Sequence, residues 1–252
     1  LGKYKKIKAI FHQGANSKTT EKNFKKIMNQ NYFYTKDLID ECIKKKIKLI
    51  YASSASVYGI NNKDFDDTKL HSCNPENFYA ISKFLIDVYT LAKLKNKNLK
   101  KNIVGLRYFN VYGPHEDKKK SMASVFFHFN KQLKKNNKIK LFKGHSGYSN
   151  GEQKRDFVHV DDIVKINFWF FKKNISGIFN CGTGKAETFN RVAKNIIQFY
   201  GSNAEIIYID MPKHLKKSYQ NFTKANIKNL RYAGYKNKFI TIKEGVKKYL
   251  SK

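Results

Sequence analysis

Three short runs of apolar, β-branched and aromatic residues, separated by stretches of helical spacing, narrow the possible folds more than any other feature of this chain. Ile7-Lys8-Ala9-Ile10-Phe11-His12 runs into Gly14, Ile47-Lys48-Leu49-Ile50-Tyr51-Ala52 stops at Ser53-Ser54, and Ile103-Val104-Gly105-Leu106-Arg107-Tyr108-Phe109 is the third. Each has the length and composition of a buried strand. Between the first two, Phe24, Ile27, Met28, Asn31, Leu38, Ile39 and Ile43 recur at three- and four-residue intervals as far as Lys46, which predicts a helical face about two elements long. Residues 79–94 are helical by the same test, with Phe84, Leu85, Val88, Tyr89 and Leu91 on the apolar side. Strand, helix, strand, helix, strand predicts an α/β protein built on a parallel sheet with helices on both faces.

After Pro114 the pattern changes. A charged loop is followed by an expected helix over 121–134, short strands over 139–142 and 157–160, a helix from Asp161 and a strand over 177–180. The tail reads as a helix over 187–200, a strand over 205–209 and two short helices ending at Leu250. The expected division is a sheet domain of residues 1–112 and 157–185 and a smaller α+β lobe of 113–156 and 186–252. A chain of 252 residues can fill one large core or two modest ones. Its longest apolar run, Phe168-Trp169-Phe170-Phe171, falls far short of the ~20 residues needed to span a bilayer, so no membrane partner is expected. Cys42, Cys73 and Cys181 are odd in number, widely separated and without a CxxC pair, which points to a reduced cytoplasm and no metal site. The amino terminus has neither an initiator Met nor an apolar signal core and reads as a cut edge.

Charge opens a different possibility. With 51 basic and 19 acidic side chains the formal net charge is +32, enough for a polyanion footprint. Only Arg107, Arg155, Arg191 and Arg231 are arginines, however, and arginine is the preferred bidentate reader of phosphate and guanine. The lysines are scattered through every segment. Abundant Lys, Asn, Ile, Phe and Tyr together are what a drift toward AT-rich codons produces; a functional polyanion surface is the other reading, and weak non-specific binding follows from either. No specific nucleic-acid partner is expected.

The sharpest chemical feature is Tyr79-Ala80-Ile81-Ser82-Lys83, in which four residues put a phenol and an ammonium on one helical face. A tyrosine with its ordinary pKa near 10 is a poor base at neutral pH, and a fixed positive charge beside it favours the phenolate. A serine hydroxyl at the end of the preceding strand could hold a substrate oxygen beside it. In a lysine-rich chain YxxxK alone occurs by chance; its position after Ser53-Ser54-Ala55 gives it weight.

Tyr51-Ala52-Ser53-Ser54-Ala55-Ser56-Val57-Tyr58-Gly59, the YxxxK helix and Arg107-Tyr108-Phe109-Asn110-Val111-Tyr112-Gly113-Pro114 occur in that order. Arg155-Asp156-Phe157-Val158-His159-Val160-Asp161-Asp162 and Phe179-Asn180-Cys181-Gly182-Thr183-Gly184 follow. The whole resembles the extended short-chain dehydrogenase/reductases, which implies a Rossmann-like parallel sheet with a smaller α+β substrate-binding lobe. Two further stretches, residues 11–21 and Ser121-Met122-Ala123-Ser124-Val125 with His128, resemble the ADP-L-glycero-D-manno-heptose 6-epimerases within that superfamily. That resemblance implies a cytoplasmic, NADP-dependent enzyme with one cofactor per subunit, acting as a homo-oligomer on ADP-heptose for lipopolysaccharide core biosynthesis. It implies catalytic roles for Ser54, Tyr79 and Lys119, with Lys83 binding the cofactor ribose and Lys119 acting from the opposite face of the sugar to Tyr79. Lys119 lies within Lys118-Lys119-Lys120, so the second base is open to one residue either way. Cofactor contacts would fall on Gln13, Gly14, Ala15, Asn16, Ser17, Gln30, Lys83, Val111 and Lys119; the family has Asn at the position of Gln30. Substrate contacts would fall on Asn110, Ser121, His128, Phe142, Lys143, Gly144, His145, Arg155 and Tyr219, with the forked donors of Arg155 suited to a diphosphate.

Two glycine patterns carry no such meaning. Gly144, Gly147 and Gly151 precede a loop and a strand instead of a helix, and the position five before Gly184 is Phe179, which breaks the phosphate-loop spacing. No glycine-rich turn after a strand precedes Phe11. On the order of sixty residues, about two strand-helix units of roughly 30 each, are expected to be missing, which predicts weak cofactor binding and an exposed apolar sheet edge. Another nucleotide-sugar epimerase or dehydratase, and a non-catalytic remnant, are the alternatives that these residues leave open.

Overall fold

The computed structural model describes residues 7–60, 63–96, 102–216 and 219–251; residues 1–6, where the cut edge was read, lie outside them. In chain order the elements are β1 (Ala9–His12), α1 (Phe24–Ile27), a π-helical turn (Met28–Phe33), α2 (Tyr34–Lys44), β2 (Lys48–Ser54), α3 (Phe78–Lys95), β3 (Ile103–Tyr108) and β4 (Asn110–Tyr112). There follow α4 (Val125–Asn136), β5 (Lys138–Phe142), β6 (Lys154–Arg155), β7 (Phe157–His159), α5 (Val160–Phe171) and β8 (Gly177–Cys181). The remainder comprises β9 (Glu187–Thr188), α6 (Phe189–Phe199), β10 (Glu205–Ile209), α7 (Lys213–Lys216), α8 (Lys228–Tyr232) and α9 (Ile242–Leu250). Among the described residues no helix is long and apolar enough to cross a membrane.

The chain divides into two compact units. One comprises Leu1–Phe109, Val164–Cys181 and Asn226–Lys236, the other Asn110–Ile163, Gly182–Ala225 and Asn237–Lys252. These bounds differ from the expected ones for local reasons. β7 pairs with β4, so residues 157–163 go with the second unit. The amides of Thr183 and Gly184 donate to Asp156, which carries 182–185 there too. Residues 226–236 join the first unit, where Asn229 donates to the Ile178 carbonyl and the Asn226 amide to that of Phe65.

The first unit is a four-stranded, Rossmann-like parallel sheet in the order β1-β2-β3-β8, registered by Phe11 opposite Ile50, Ser54 opposite Tyr108 and Tyr108 opposite Cys181. Leu49, Ile50 and Tyr51 of β2 and Ile103, Val104 and Leu106 of β3 are all buried. Each such aliphatic side chain contributes about 1.5–3 kcal/mol of transfer free energy. β1 is an edge strand, and Phe11 and Phe168, in ring contact at 5.7 Å, stay 39% and 53% exposed.

Asn77 starts α3 by accepting the Ala80 amide at 2.9 Å. The buried face of α3 carries Lys83, Asp87 and Thr90 beside Ala80 and Ile86, a polar stripe where an apolar one is the rule. Partners explain it. Asp87 accepts Arg107 Nε at 2.8 Å, Ser53 Oγ at 2.9 Å and Tyr51 Oη at 3.0 Å, and neither side chain of the Asp87–Arg107 pair is exposed.

In the second unit β5 pairs with β10 and β4 with β7, both parallel, and β6 with β9 antiparallel. Its core stacks Tyr112 on Phe126 with centroids 3.6 Å apart, and Phe157 meets Phe126 edge-on at 5.4 Å. Val192, Ala193 and Ile196 of α6 and Ile242 and Val246 of α9 close it. The buried Asp156 carboxylate accepts the amides of Thr183, Gly184 and Ala225 and the Thr183 hydroxyl. Burial still raises its pKa against those donors.

Three helices depart from the expected extents. The face expected to run through Lys46 is interrupted by the π-helical turn, within which Asn31 of the expected face is 1% exposed and its amide bonds Asn16 and Ser82. The helix expected over 121–134 starts at Val125, because Lys120 takes φ 51° and ψ −126° and Ser124 caps from extended backbone. The helix expected over 187–200 starts at Phe189, since Glu187 and Thr188 pair with β6.

Removing one partner of the Asp87–Arg107 pair leaves the other charge buried and uncompensated. Asp87→Ala is expected to lower the unfolding free energy by about 3–5 kcal/mol, read as a reduced urea midpoint.

Candidate functional site

Ser54, Tyr79 and Lys83 are brought together by the β2–α3 pairing. Ser54 ends β2 and accepts the Ser56 amide at 3.2 Å, and its hydroxyl bonds the half-buried Tyr79 phenol. Lys83, 5% exposed, donates to the Ala52 carbonyl at 2.7 Å with Nζ 5.9 Å from the centroid of the Tyr79 ring. Burial pulls its ammonium down to about 8, with Asp87 pulling the other way. Burial likewise pushes the Tyr79 phenol up, against the Ser54 hydrogen bond. The phenol is thus raised by desolvation instead of lowered as expected, and Tyr79 stands protonated at neutral pH in this state.

The turn after β1 is pinned from behind. The Asn16 amide donates to Asn31 Oδ1 at 2.8 Å, Asn31 Nδ2 returns a bond to the Asn16 carbonyl at 3.0 Å, and the same group donates to Ser82 Oγ of α3 at 3.0 Å. Gln30 accepts Asn16 Nδ2 at 3.0 Å. Gln13 accepts Tyr108 Oη at 2.7 Å and donates to Asn167 at 3.2 Å. Gly14, Ala15 and Ser17 are exposed, and a side chain on Gly14 would meet nothing within 4 Å. This half of the set fits the ribose and nicotinamide end of a dinucleotide: Lys83 spends one of three N–H bonds on Ala52, leaving two for vicinal hydroxyls.

In the second unit Tyr219 gathers an aromatic and basic cluster. Its ring lies 5.8 Å from Phe142, 5.6 Å from His145 and 5.2 Å from the Arg155 guanidinium. Arg155 is 7% exposed, donates to its neighbour's carbonyl, and has no carboxylate partner among the described residues. Burial pulls it down to about 10, so it is a desolvated cation at neutral pH. His145 Nε2 is buried without a hydrogen bond. Gly144 donates to Asn150, whereas Lys143 is turned to an exposed pair with Asp210. Asn110 and Val111 lie on β4, with Asn110 Oδ1 accepting Thr223 Oγ1 at 3.2 Å. His128 lies on α4 against Phe127, and Ser121 is exposed in the turn that carries Lys119. Lys119 pairs with the buried Glu116 at 3.4 Å.

The NAD dependent epimerase/dehydratase family matches residues 1–182. An ADP-L-glycero-D-manno-heptose-6-epimerase from Brachyspira hyodysenteriae is 47% identical over 245 residues, 97% of this chain and 75% of that protein. The chain belongs to the NAD dependent epimerase/dehydratase family, on the heptose-epimerase branch. The crystal structure of the Helicobacter pylori ADP-L-glycero-D-manno-heptose-6-epimerase superposes with a TM-score of 0.83 at 32% identity, covering 97% of this chain and 72% of that one. A UDP-N-acetylglucosamine 4-epimerase from Methanobrevibacter ruminantium gives 0.81 at 26% identity, over 96% of this chain and 76% of that one.

Sequence reasoning missed three residues around this family's expected groups. Asp87 lies four residues after Lys83 on the same helical face; Glu116 lies three before Lys119; Asn31 is next to Gln30. The intervals of three and four were legible signals. The π-helical turn at Met28–Phe33 was not.

Because Lys83 holds its proton less tightly when folded, its burial costs stability below about 8, and that cost is relieved as pH rises toward 10.5. Lys83→Met is therefore expected to be more stable than wild type at neutral pH by a margin that shrinks across this window. Urea titrations at several pH values measure it; a margin independent of pH would contradict it.

Proposed function

We propose that this protein inverts carbon six of an ADP-activated heptose, converting ADP-D-glycero-D-manno-heptose to the L-glycero form. The observation that carries the reading is 47% identity along 97% of the chain to a protein of that name. A buried guanidinium on Tyr219 in the second unit, without a carboxylate partner among the described residues, supports it, since such a group suits a diphosphate with forked donors. Asn110, Ser121, His128, Phe142 and His145 are the remaining substrate contacts in this proposal, with Lys143 and Gly144 reached through the same turn.

Tyr79 and Lys119 serve as the two acid/base groups, one for each face of the inverted carbon. One takes the hydroxyl proton as the carbinol is oxidised to a ketone; the ketone turns over, and the other returns a proton to the oxygen after reduction from the opposite face. When bound, a nicotinamide dinucleotide would supply the hydride acceptor and donor that this oxidation and reduction need. Lys83 holds the ribose, Ser54 holds the reacting oxygen, and Gln13 to Ser17, Gln30 and Val111 complete the cofactor contacts. NADP is the proposed form, and the proposed setting is a homo-oligomer in the cytoplasm supplying lipopolysaccharide core synthesis.

A positioned acid/base is worth ~100- to 10,000-fold in rate. Tyr79→Phe and Lys119→Met are each expected to lose that much kcat on ADP-heptose, followed by chromatography of the two epimers, with melting temperatures unchanged. Full activity in both variants would contradict the assignment. Turnover of a UDP-hexose in place of ADP-heptose would move the protein to another member of the family. Arg155→Met is expected to raise KM by tenfold or more, since it removes the only desolvated cation of its cluster among the described residues.

A further inference from the structure

Lys118, Lys119 and Lys120 present three ammonium groups in one turn, and the structure treats them differently. Lys119 Nζ lies 3.4 Å from Glu116 Oε1, while Lys118 and Lys120 are exposed and form no ion pair among the described residues. Glu116 is 4% exposed in a turn whose other residues, 117–122, face solvent. Its carboxylate is anchored on the far side: Oε1 accepts the Ser124 amide at 3.0 Å and Oε2 accepts the Ser124 hydroxyl at 2.6 Å. Ser124 is in turn the residue that caps α4.

The backbone enforces this arrangement. The Lys119 amide donates to the Glu116 carbonyl at 3.0 Å, which closes the turn and puts the two side chains on one side. Lys120 then takes φ 51° and ψ −126°, a left-handed conformation that costs a residue with a Cβ about 1–3 kcal/mol. That reversal sends residues 121–123 back so that Ser124 reaches Glu116. Strain of this kind persists only where the surroundings impose it.

We infer that Glu116 is the positioning residue of Lys119: anchored through Ser124, its buried carboxylate selects Lys119 from the lysine run and holds its ammonium in place. The inference rests on the proposed role of Lys119. A lysine side chain has about 2 kcal/mol of rotamer entropy to lose, and an acid/base left to wander forfeits rate. Stability alone does not account for the pair, because the Lys119 side chain is 54% exposed and solvent screens its share of the attraction. The two Ser124 bonds carry the structural share, and the lysine contact is the part left over.

Competitive acetylation reads the inference without any substrate. Full-length protein is treated with limiting acetic anhydride, and the modification of each lysine in the turn is localised by tandem mass spectrometry, with Lys118 and Lys120 as internal controls. Lys119 is expected to react several-fold more slowly than its neighbours, and Glu116→Gln is expected to remove that difference while leaving Lys118 and Lys120 unchanged. Glu116→Gln keeps both Ser124 contacts, since its amide oxygen accepts from the Ser124 amide and its NH2 donates to the hydroxyl. Equal labelling of all three lysines in wild type, or a difference that survives Glu116→Gln, overturns the inference.

The kinetic arm uses ADP-heptose. Glu116→Gln is expected to lower kcat by about 10- to 100-fold with KM within twofold, and Glu116→Asp to restore part of it. Unchanged kcat in Glu116→Gln, where Lys119→Met is inactive, overturns the inference. A wild type that does not turn over ADP-heptose overturns the functional reading instead, and labelling still decides whether Glu116 holds Lys119.

Discussion

One buried carboxylate organises the sheet unit. Taking Asp87 and Arg107 out of water costs several kcal/mol per ion, and the cost is tolerated only because nearly every lone pair and donor finds a partner. Asp87 accepts from Arg107 on β3 and from Tyr51 and Ser53 on β2; Arg107 donates onward to Tyr58, whose hydroxyl reaches Asn180 on β8. The Asn180 amide donates to Asp67 at 2.6 Å, and burial lifts that acid to about 6. A helix and three strands are thus joined by polar bonds of fixed direction. Hydrophobic packing alone tolerates sliding. This network does not, and Ala52 and Ser54, which meet Lys83 and Tyr79, sit on either side of the Ser53 that it grips.

The second unit is built on a different physical basis. Its core is an aromatic stack, Tyr112 on Phe126 with Phe157 edge-on, and its buried carboxylates Glu116 and Asp156 accept from amides and hydroxyls. Arg155 is its buried cation: a guanidinium near Phe189 and Tyr219 with no acid to neutralise it among the described residues. Such a group is costly in the absence of an anion and is matched by one, whereas Lys119 and Lys143 remain hydrated and move freely except where a carboxylate restrains them.

Much of the sheet was legible because its strands are wrapped in apolar residues over most of their length. The apolar runs at 47–52 and 103–109 became β2 and β3 within two residues, and the Tyr79–Lys83 spacing landed on a helix as four residues must. The division into units was less legible, since it follows strand pairing: β7 belongs with β4, and the Asp156 contacts decide where 182–185 go. Side-chain environment was least legible. Nothing in the order of residues announces that burial raises the Tyr79 phenol, or that one of three consecutive lysines has a buried partner. Those facts depend on tertiary distances, and the π-helical turn at Met28–Phe33 is a local irregularity that simple periodicity passes over.

Asp156 bears on how the molecule responds to ionic strength. Its charge is dissolved in three neutral amides and a hydroxyl, with no ion pair among the described residues. Dissolved ions weaken a bond between two charges far more than a bond between a charge and a fixed dipole packed out of reach of water. In a chain of net charge +32, added salt relieves the mutual repulsion of the lysines while leaving the Asp156 bonds at full strength. The loop that follows β8 therefore keeps its place from dilute buffer to concentrated salt, and the changes that salt brings fall on the lysine-covered surface instead.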